Sequence, residues 1–207
     1  SIDIPDSGAV GGDMDVSGGE VWFTKANSTG TSLWRYDIAA DQFTEFPVLF
    51  DQGPADVVVD SAGDPWFTAP NDHSVNHLDP GSGQVTSFDV PDGLSPWDIA
   101  IATDGQIWFT SRFTPQGVGR LDPATGVVST FLTPSNPGPQ GIAASPDGSV
   151  WFSQTTKGNI ARIDNTGTIT EAKTIKGSEP FGIVVAPNGD PWYTMMFADK
   201  VATLQLR

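Results

Sequence analysis

The chain lacks cysteine altogether, so neither a disulfide framework nor a thiolate metal site can stabilise it. It also lacks an apolar run approaching the roughly 20 residues that a transmembrane helix needs. The first residues, SIDIPDSGAVGG, have neither the basic start nor the apolar middle of a signal peptide, and a signal removed upstream of them stays an open alternative. Side-chain packing therefore has to hold the fold, and we expect no membrane partner.

Basic residues are scarce as well, because 10 Lys and Arg stand against 25 Asp and Glu and give a formal net charge of −15. A protein that binds nucleic acid needs a basic face to neutralise phosphates, so we exclude nucleic acid as a partner. An anionic membrane surface is excluded for the same electrostatic reason. We interpret the acidity as a contribution to solubility.

A sequence repeat runs through the whole chain. Tryptophans at 22, 66, 108, 151 and 192 head the triplets WFT, WFT, WFT, WFS and WYT, with gaps of 44, 42, 43 and 41 residues. A constant period of this length is typical of a solenoid, a propeller or an array. Each triplet follows an apolar stretch and a turn pair such as Asp147-Gly148, as in GIAASPDGSVWFS, which predicts a two-strand hairpin.

Each repeat predicts four antiparallel strands, because no segment shows a sustained helical period and 23 Gly with 17 Pro favour short strands and tight turns. Four such strands form a propeller blade. The last repeat supplies only three strands, whereas SIDIP at the start resembles the outer strands SFDVP and EFPV. We therefore predict an all-β, five-bladed β-propeller over residues 1–207, a single monomeric domain whose N-terminal strand closes the last blade. Two half-rings that assemble as a dimer are the alternative.

The residues that recur in every copy are interpreted as structural. The triplet tryptophans are expected to pack blade against blade, and each burial contributes ~2–3 kcal/mol. Arg35, Arg120 and Arg162 recur just before the Asp of a turn, and His77 takes their place in the second copy. For these four residues we expect structural pairing or a solvated edge position. His77 is thus interpreted as a substituted arginine rather than as a ligand.

Functional information is expected where the copies differ, on loops at one face of a rigid scaffold. The entry positions of the innermost strands hold Gly12, Ala55, Trp97, Gln140 and Phe181. The positions that follow them hold Asp13, Asp56, Asp98, Gly141 and Gly182. The stretches after the five triplets are KAN, APN, SRF, QTT and MMF.

Seven residues at these varied positions form the candidate ligand site. They combine aromatic, methionine, amide and guanidinium side chains, which suits a pocket with apolar walls and a few orienting polar groups for a small molecule, a glycan or a peptide. The seven are Trp97, Arg112, Phe113, Gln140, Gln154, Phe181 and Met195, and Met196 and Phe197 follow directly. The alternative is that these side chains only plug a narrow central channel.

Three aspartates, Asp13, Asp56 and Asp98, occupy equivalent positions in three consecutive copies. Carboxylates that converge on an axis could hold Ca²⁺ or Mg²⁺. Without a cation they would repel one another unless Arg112 or Lys25 compensates their charge. The alternative is that each aspartate accepts hydrogen bonds from backbone amides of the neighbouring blade. No other cofactor is predicted.

The repeated words P-x-G-I, DG-x-W-F-T and GRLDP-x-TG-x-V-T-x-F resemble the streptogramin B lyase (virginiamycin B lyase-like) family over essentially the whole chain. The resemblance implies a propeller, commonly of seven blades, that opens a cyclic depsipeptide by metal-assisted elimination. It places catalytic histidines at the x of P-x-G-I and a glutamate just after a WF triplet. The histidine positions of this chain are the five entry positions, where no histidine stands, and none of the stretches after the triplets contains glutamate. We therefore assign no catalytic residue.

Three functions are compatible with these observations. The first is a non-catalytic binding module with a site for a small molecule, a glycan or a peptide. The second is a metal-assisted lyase or hydrolase with a rearranged site that uses the three aspartates and His73. The third is a scaffold for protein partners. We further hypothesise a secreted or periplasmic location.

Overall fold

Each sequence repeat forms its own antiparallel sheet in the computed structural model, which describes residues 3–5, 10–27, 30–50, 53–91, 93–113, 115–133, 137–174 and 177–205. The chain divides into two compact units, Ser1–Asp89 and Val90–Arg207. Within the described ranges, no helix has the length and apolar character needed to cross a membrane.

The first unit contains two four-stranded sheets, each in chain order. The first sheet consists of β1 (Val10–Ser17), β2 (Glu20–Asn27), β3 (Gly30–Asp37) and β4 (Gln42–Val48). The second sheet consists of β5 (Val57–Val59), β6 (Pro65–Ala69), β7 (Ser74–Asp79) and β8 (Gln84–Asp89). A short 3₁₀ turn, Pro70–Asp72, joins β6 to β7.

The second unit contains three sheets, of which the first two have four strands. The third sheet consists of β9 (Pro96–Ile101), β10 (Ile107–Ser111), β11 (Gly117–Leu121) and β12 (Val128–Leu132). The fourth consists of β13 (Pro139–Ala144), β14 (Val150–Gln154), β15 (Asn159–Ile163) and β16 (Ile169–Lys173). The fifth consists of β17 (Pro180–Val185), β18 (Pro191–Met195) and β19 (Lys200–Thr203). The predicted all-β class and the four antiparallel strands per repeat are thus confirmed for four of the five sheets.

The turn pairs close hairpins, as predicted. Between β13 and β14, Gly148 has a φ of 83°, a left-handed conformation that glycine adopts without strain. The Asp147 carboxylate accepts a hydrogen bond from the Ser149 amide at 3.0 Å, which fixes the turn in place.

The triplet tryptophans pack sheet against sheet within each unit. Trp22 shares an apolar cluster with Phe67 of the second sheet. Trp108 shares one with Phe152 of the fourth sheet, and Trp151 shares one with Tyr193 of the fifth. The packing role is confirmed for these three tryptophans. Trp192 differs, because 44% of its surface stays exposed.

The recurring cations pair with acids of the hairpin turns. Arg35 lies 3.3 Å from the Glu20 carboxylate, and Arg162 lies 2.6 Å from that of Asp147. His77 Nε2 lies 3.4 Å from the Asp64 carboxylate in the equivalent place. The interpretation of His77 as a substituted arginine is therefore confirmed. Arg120 instead donates to the backbone oxygen of Asn165 at 2.9 Å.

The predicted closing strand at the N-terminus is wrong for the residues that can be described, 3–5, which form no strand. The fifth sheet accordingly has three strands in the described part of the chain. Pro5 instead accepts a 2.6 Å hydrogen bond from Lys25 Nζ of β2, and Ile4 lines an apolar groove on the first sheet. The bond to the buried ammonium group of Lys25 holds this segment beside the first sheet, and Ile4 stays 47% exposed. Residues 1 and 2 of the predicted strand lie outside the described residues.

Candidate functional site

The three entry residues of the second unit lie at the same point of equivalent strands. Trp97, Gln140 and Phe181 are the second residues of β9, β13 and β17. The prolines that precede them pair with the last residues of β10, β14 and β18, which are Ser111, Gln154 and Met195. This shared register shows that the entry positions were aligned correctly from the sequence.

The hydroxyls at the ends of the third and fourth triplets each link one sheet to the next. Thr110 Oγ1 accepts a hydrogen bond from the Asp98 amide at 3.3 Å and donates one to the Gln140 carbonyl at 2.7 Å. Ser153 Oγ does the same between the Gly141 amide, at 3.0 Å, and the Phe181 carbonyl, at 2.6 Å. These hydroxyls hold the entry residues in place. The sequence signal is that every triplet ends in Thr or Ser, and our sequence reasoning missed its meaning.

Gly141 brings the innermost strands of the fourth and fifth sheets together. A Cβ atom at this position would lie 2.6 Å from the Phe181 carbonyl oxygen and 3.1 Å from the Ile183 amide. Any residue with a Cβ atom at this position would collide with the backbone of β17, so glycine is required here. Gly141 therefore helps to set the spacing between Gln140 and Phe181.

Arg112 is the centre of the side-chain cluster at the entry of the third sheet. It follows β10, and its guanidinium carbon lies 3.4 Å from the centroid of the Trp97 ring and 4.7 Å from that of Phe113. The Trp97 and Phe113 rings meet edge to face, with centroids 6.0 Å apart. Arg112 Nη1 lies 3.4 Å from Gln140 Oε1, at the long limit of a hydrogen bond. We call Trp97, Arg112, Phe113 and Gln140 the Arg112 cluster.

Arg112 differs from Arg35 and Arg162, each of which pairs with an acid. Among the described residues, no carboxylate lies within ion-pair distance of its guanidinium, and its buried Nε atom has no hydrogen-bond partner. Burial lowers the pKa of Arg112 from its ordinary value. An arginine nevertheless stays protonated at neutral pH, so the cluster carries a positive charge. Phe113 leaves half of its surface exposed, 50%, so solvent reaches the cluster.

The remaining predicted site residues are not drawn into this cluster. Gln154 is fully buried and donates to the Glu171 carboxylate at 3.2 Å, on the outer strand of its own sheet. Met195 is buried with Trp151 and Tyr193 between the fourth and fifth sheets. Phe181 is 41% exposed at the start of β17. A ligand-binding role for these three residues stays a prediction.

The three aspartates occupy equivalent positions, because the residue after each one pairs with the phenylalanine of its triplet. Asp98 accepts hydrogen bonds from the Ile99 amide at 2.9 Å and from the Ile142 amide of the fourth sheet at 3.0 Å. Asp56 is buried and accepts a hydrogen bond from the amide of the residue that follows it, at 2.7 Å. The exposed Asp13 accepts the same kind of hydrogen bond at 2.9 Å. Asp98 thus accepts a hydrogen bond from a backbone amide of the neighbouring sheet, which is the alternative to metal binding. The metal site stays a prediction.

One other group of possible metal ligands occurs among the described residues: Asp60, Asp64 and His77. Its polar atoms already have partners, because Asp60 accepts from the indole of Trp66 at 3.1 Å and His77 pairs with Asp64. The group repeats the acid–cation pairing of the other hairpins, which explains it without a metal. His73 caps the 3₁₀ turn in a left-handed conformation, with a φ of 49°.

An apolar cavity of about 200 Å³ on the first sheet was not predicted. Its lining is aromatic and aliphatic: Ile4, Gly12, Met14, Val21, Phe23, Thr24, Tyr36 and Phe43. Its two hydroxyls are engaged, since Tyr36 donates to Asp41 at 2.7 Å and Thr24 lies 3.5 Å from the Ala55 carbonyl oxygen. Without a charged or amide side chain to orient a ligand, this cavity is a weaker candidate than the Arg112 cluster.

Comparison with known proteins identifies the relatives of the chain. The family model of the virginiamycin B lyases matches residues 3–207. A catalytically inactive virginiamycin B lyase from Staphylococcus aureus, solved with quinupristin, is 26% identical with a TM-score of 0.87 over 98% of this chain and 69% of that one. A streptogramin B lyase structure is 24% identical with a TM-score of 0.86 over 99% of this chain and 67% of that one. No curated protein sequence matches.

A more distant structure has the same fold. A putative gluconolactonase is 18% identical with a TM-score of 0.72, over 97% of this chain and 76% of that one. The antiparallel sheets of the described chain therefore match the propeller-like fold of the lyases. The number of blades predicted for the ring is not tested by these matches.

The divalent ion that the resemblance implies does not fit the residues present here. The five entry positions supply no imidazole and the stretches after the triplets supply no glutamate, although these are the groups that the resemblance requires. The guanidinium of Arg112 adds a positive charge beside Trp97 and Gln140, and a cation is repelled there. We derive no chemical step through a metal.

Proposed function

Since the chain belongs to the virginiamycin B lyase family but lacks that family's acid–base residues, we propose that it is a binding module without catalytic activity. The Arg112 cluster is its ligand site. The observation that carries the proposal is the cluster itself: a guanidinium 3.4 Å from an indole, with an exposed phenylalanine and an amide beside it.

An elimination reaction requires a base that removes a proton and a group that stabilises the leaving oxygen. No member of the cluster is a base at neutral pH, because a guanidinium is protonated and an amide or an aromatic ring accepts no proton. The same groups are well suited to recognition, since aromatic faces bury apolar surface and Arg and Gln donate oriented hydrogen bonds. The ligand is accordingly a small molecule, a glycan or a peptide.

The fold supports recognition through rigidity. We propose that the five sheets are consecutive blades of one propeller domain over residues 1–207. The hydroxyls of Thr110 and Ser153 tie neighbouring sheets together directly behind the entry residues. Side chains held on strands by such bonds lose little freedom when a ligand binds, which favours affinity.

A thermal-shift panel tests the proposal, with aromatic small molecules, oligosaccharides and short peptides as its arms and quinupristin among the peptides. We expect at least one arm to raise the melting temperature, and we expect Trp97→Ala to abolish that rise. The control is Leu49→Ala, which removes an apolar side chain that is 98% exposed in the other unit. Ligands that stabilise Trp97→Ala as well as the parent chain would place binding elsewhere.

Catalysis is tested separately by incubating the chain with quinupristin and following its chromatographic retention, its absorbance and its mass, because elimination opens the ring without a change of mass whereas hydrolysis adds one water. We expect the cyclic compound to remain intact. A linear product that forms in proportion to protein concentration would overturn the non-catalytic part of the proposal and would restore the lyase alternative.

A further inference from the structure

We propose that the ligand of the Arg112 cluster carries a carboxylate group, which the guanidinium of Arg112 binds. This inference rests on the proposed function and narrows it to a chemical class.

The charge partners of the cations point to this class. Arg35, Arg162 and Lys157 each lie within 3.3 Å of an acidic side chain of their own sheet. Arg112 and Arg120 have no such acid among the described residues, although the chain carries 25 carboxylates. Arg120 has a carbonyl oxygen at 2.9 Å in its place, whereas the polar contact of Arg112 is the long one to Gln140. A partly buried charge without a counterion is costly, so a site of this kind is stabilised when a ligand supplies the missing negative charge.

The donor geometry of Arg112 also favours an oxyanion. A guanidinium has five N–H donors in one plane, and the structure assigns only one contact to them, the 3.4 Å approach to Gln140 Oε1. The Nε atom is buried and has no partner. Because Trp97 lies against the face of the guanidinium and Nε is buried, we expect a ligand to bind at the edge formed by the two Nη groups. A carboxylate matches that edge with two parallel hydrogen bonds.

The surroundings select a carboxylate with an apolar body. Trp97 and Phe113 meet edge to face beside the charge and offer aromatic surface. A phosphate monoester, which carries nearly two charges, meets stronger long-range repulsion from a chain with a net charge of −15 than a carboxylate does. Once Gln140 Oε1 accepts from Arg112, its amide nitrogen is left as a donor toward a second ligand oxygen.

The test uses ¹⁵N-labelled full-length chain and follows the arginine Nε–H and tryptophan indole signals during titration at constant ionic strength. The probes are benzoate, its neutral isostere benzamide and inorganic phosphate. Arg112→Lys and Arg112→Gln assign the Arg112 signal, and the Arg162 signal is the internal control because that side chain is engaged by Asp147. Retained dispersion of the other indole signals shows that each variant is folded.

We expect benzoate to shift the Arg112 Nε–H and Trp97 indole signals in a saturable manner. Benzamide should bind about 10- to 100-fold more weakly, because it lacks the charge-assisted hydrogen bonds. Arg112→Gln should abolish the benzoate response. Arg112→Lys should weaken it about tenfold, because a lysine keeps the charge and loses the planar fork.

Three results would overturn the inference. Equal binding of benzamide and benzoate at Trp97 would leave the binding module standing and remove the carboxylate. A response to phosphate without one to benzoate would replace the carboxylate by a tetrahedral anion. If no probe shifts either signal, the carboxylate inference fails, whereas the binding module is judged independently by the thermal-shift panel.

Discussion

Two tryptophans of the third sheet show how the molecule divides its tasks. Trp108, on β10, is 1% exposed, stacks on Phe131 at 5.7 Å and has a counterpart in every repeat. Trp97, on β9, is partly exposed, has no counterpart in the other copies and stacks on Arg112 at 3.4 Å. Trp108 thus helps to hold two sheets together, whereas Trp97 belongs to the Arg112 cluster.

Two arginines show the same contrast in their hydrogen-bond partners. Arg162 is held by Asp147 at 2.6 Å and by Ser149 at 2.8 Å, so its hydrogen bonds are used inside the fold. Arg112 has aromatic neighbours and one long contact to Gln140. The first arginine contributes to stability, whereas our proposal assigns the second to ligand recognition.

The largest expected effect is that of Trp108→Ala. Removing a buried indole leaves a cavity between the third and fourth sheets, and we expect a loss of about 3–5 kcal/mol in the free energy of unfolding. Trp97→Ala should cost less, about 1–3 kcal/mol, because its ring is partly exposed. Urea denaturation followed by circular dichroism measures both. Equal losses for the two variants would contradict the contrast between core and site.

Next in size is the effect of a methyl group at Gly141. In Gly141→Ala the new Cβ meets the Phe181 carbonyl oxygen, a backbone atom 2.6 Å away, and we expect a loss of about 1–3 kcal/mol. Gly182→Ala is the matched control at the equivalent position, where the nearest atom is the Thr194 hydroxyl at an ordinary 3.4 Å. Thermal denaturation of the pair should separate them. A tolerant Gly141→Ala would show that the innermost strands can move apart.

Thr110→Val tests the hydroxyl that connects the third sheet to the entry residue Gln140. The substitution keeps the shape of the side chain and removes the hydroxyl that joins the Asp98 amide to the Gln140 carbonyl. We expect a loss of about 1–3 kcal/mol in stability, because both backbone groups lose a partner. Ligand affinity should also fall in Thr110→Val. Thr194→Val is the control, because it removes the bond to the Gly182 amide in the fifth sheet and leaves the bonds to the Gln140–Gly141 peptide in place.

The smallest effect concerns pH. The Ser149 hydroxyl, the Ser149 amide and Arg162 lower the pKa of Asp147 in the folded chain. The carboxylate is therefore stabilising above its unfolded pKa of about 4, and this stability is lost as the pH falls through the lower folded pKa. Because half of the side chain is exposed, we expect about 1 kcal/mol or less. Asp147→Asn should remove this part of the pH dependence, and an unchanged profile would contradict it.

The repeat made much of the fold predictable. The triplets located the hairpins, and the burial of Trp22, Trp108 and Trp151 followed from their recurrence. The burial of Gln154 and Met195 was harder to predict. They lie two residues after the buried Phe152 and Tyr193, and strand alternation directs them to the same buried face. Their assignment to the ligand site rests on composition and stays a prediction.

Other features could not be reached from one sequence. The contact of Pro5 with Lys25 joins segments that no local pattern connects. The apolar cavity depends on how Phe23, Tyr36 and Phe43 from three strands come together. The stacking of Arg112 on Trp97 was likewise hidden, since Trp97 lies on β9, Arg112 follows β10, and only the register of these two strands brings them together.

The most direct test of the account is a ¹H–¹⁵N spectrum of the seven indole groups, recorded with and without a ligand from the thermal-shift panel. We predict that the Trp97 signal moves while those of Trp22, Trp108 and Trp151 stay in place. The account would be contradicted if a ligand binds and the Trp97 signal does not move, while the signal of Trp34, which packs on residues that line the apolar cavity of the first sheet, changes.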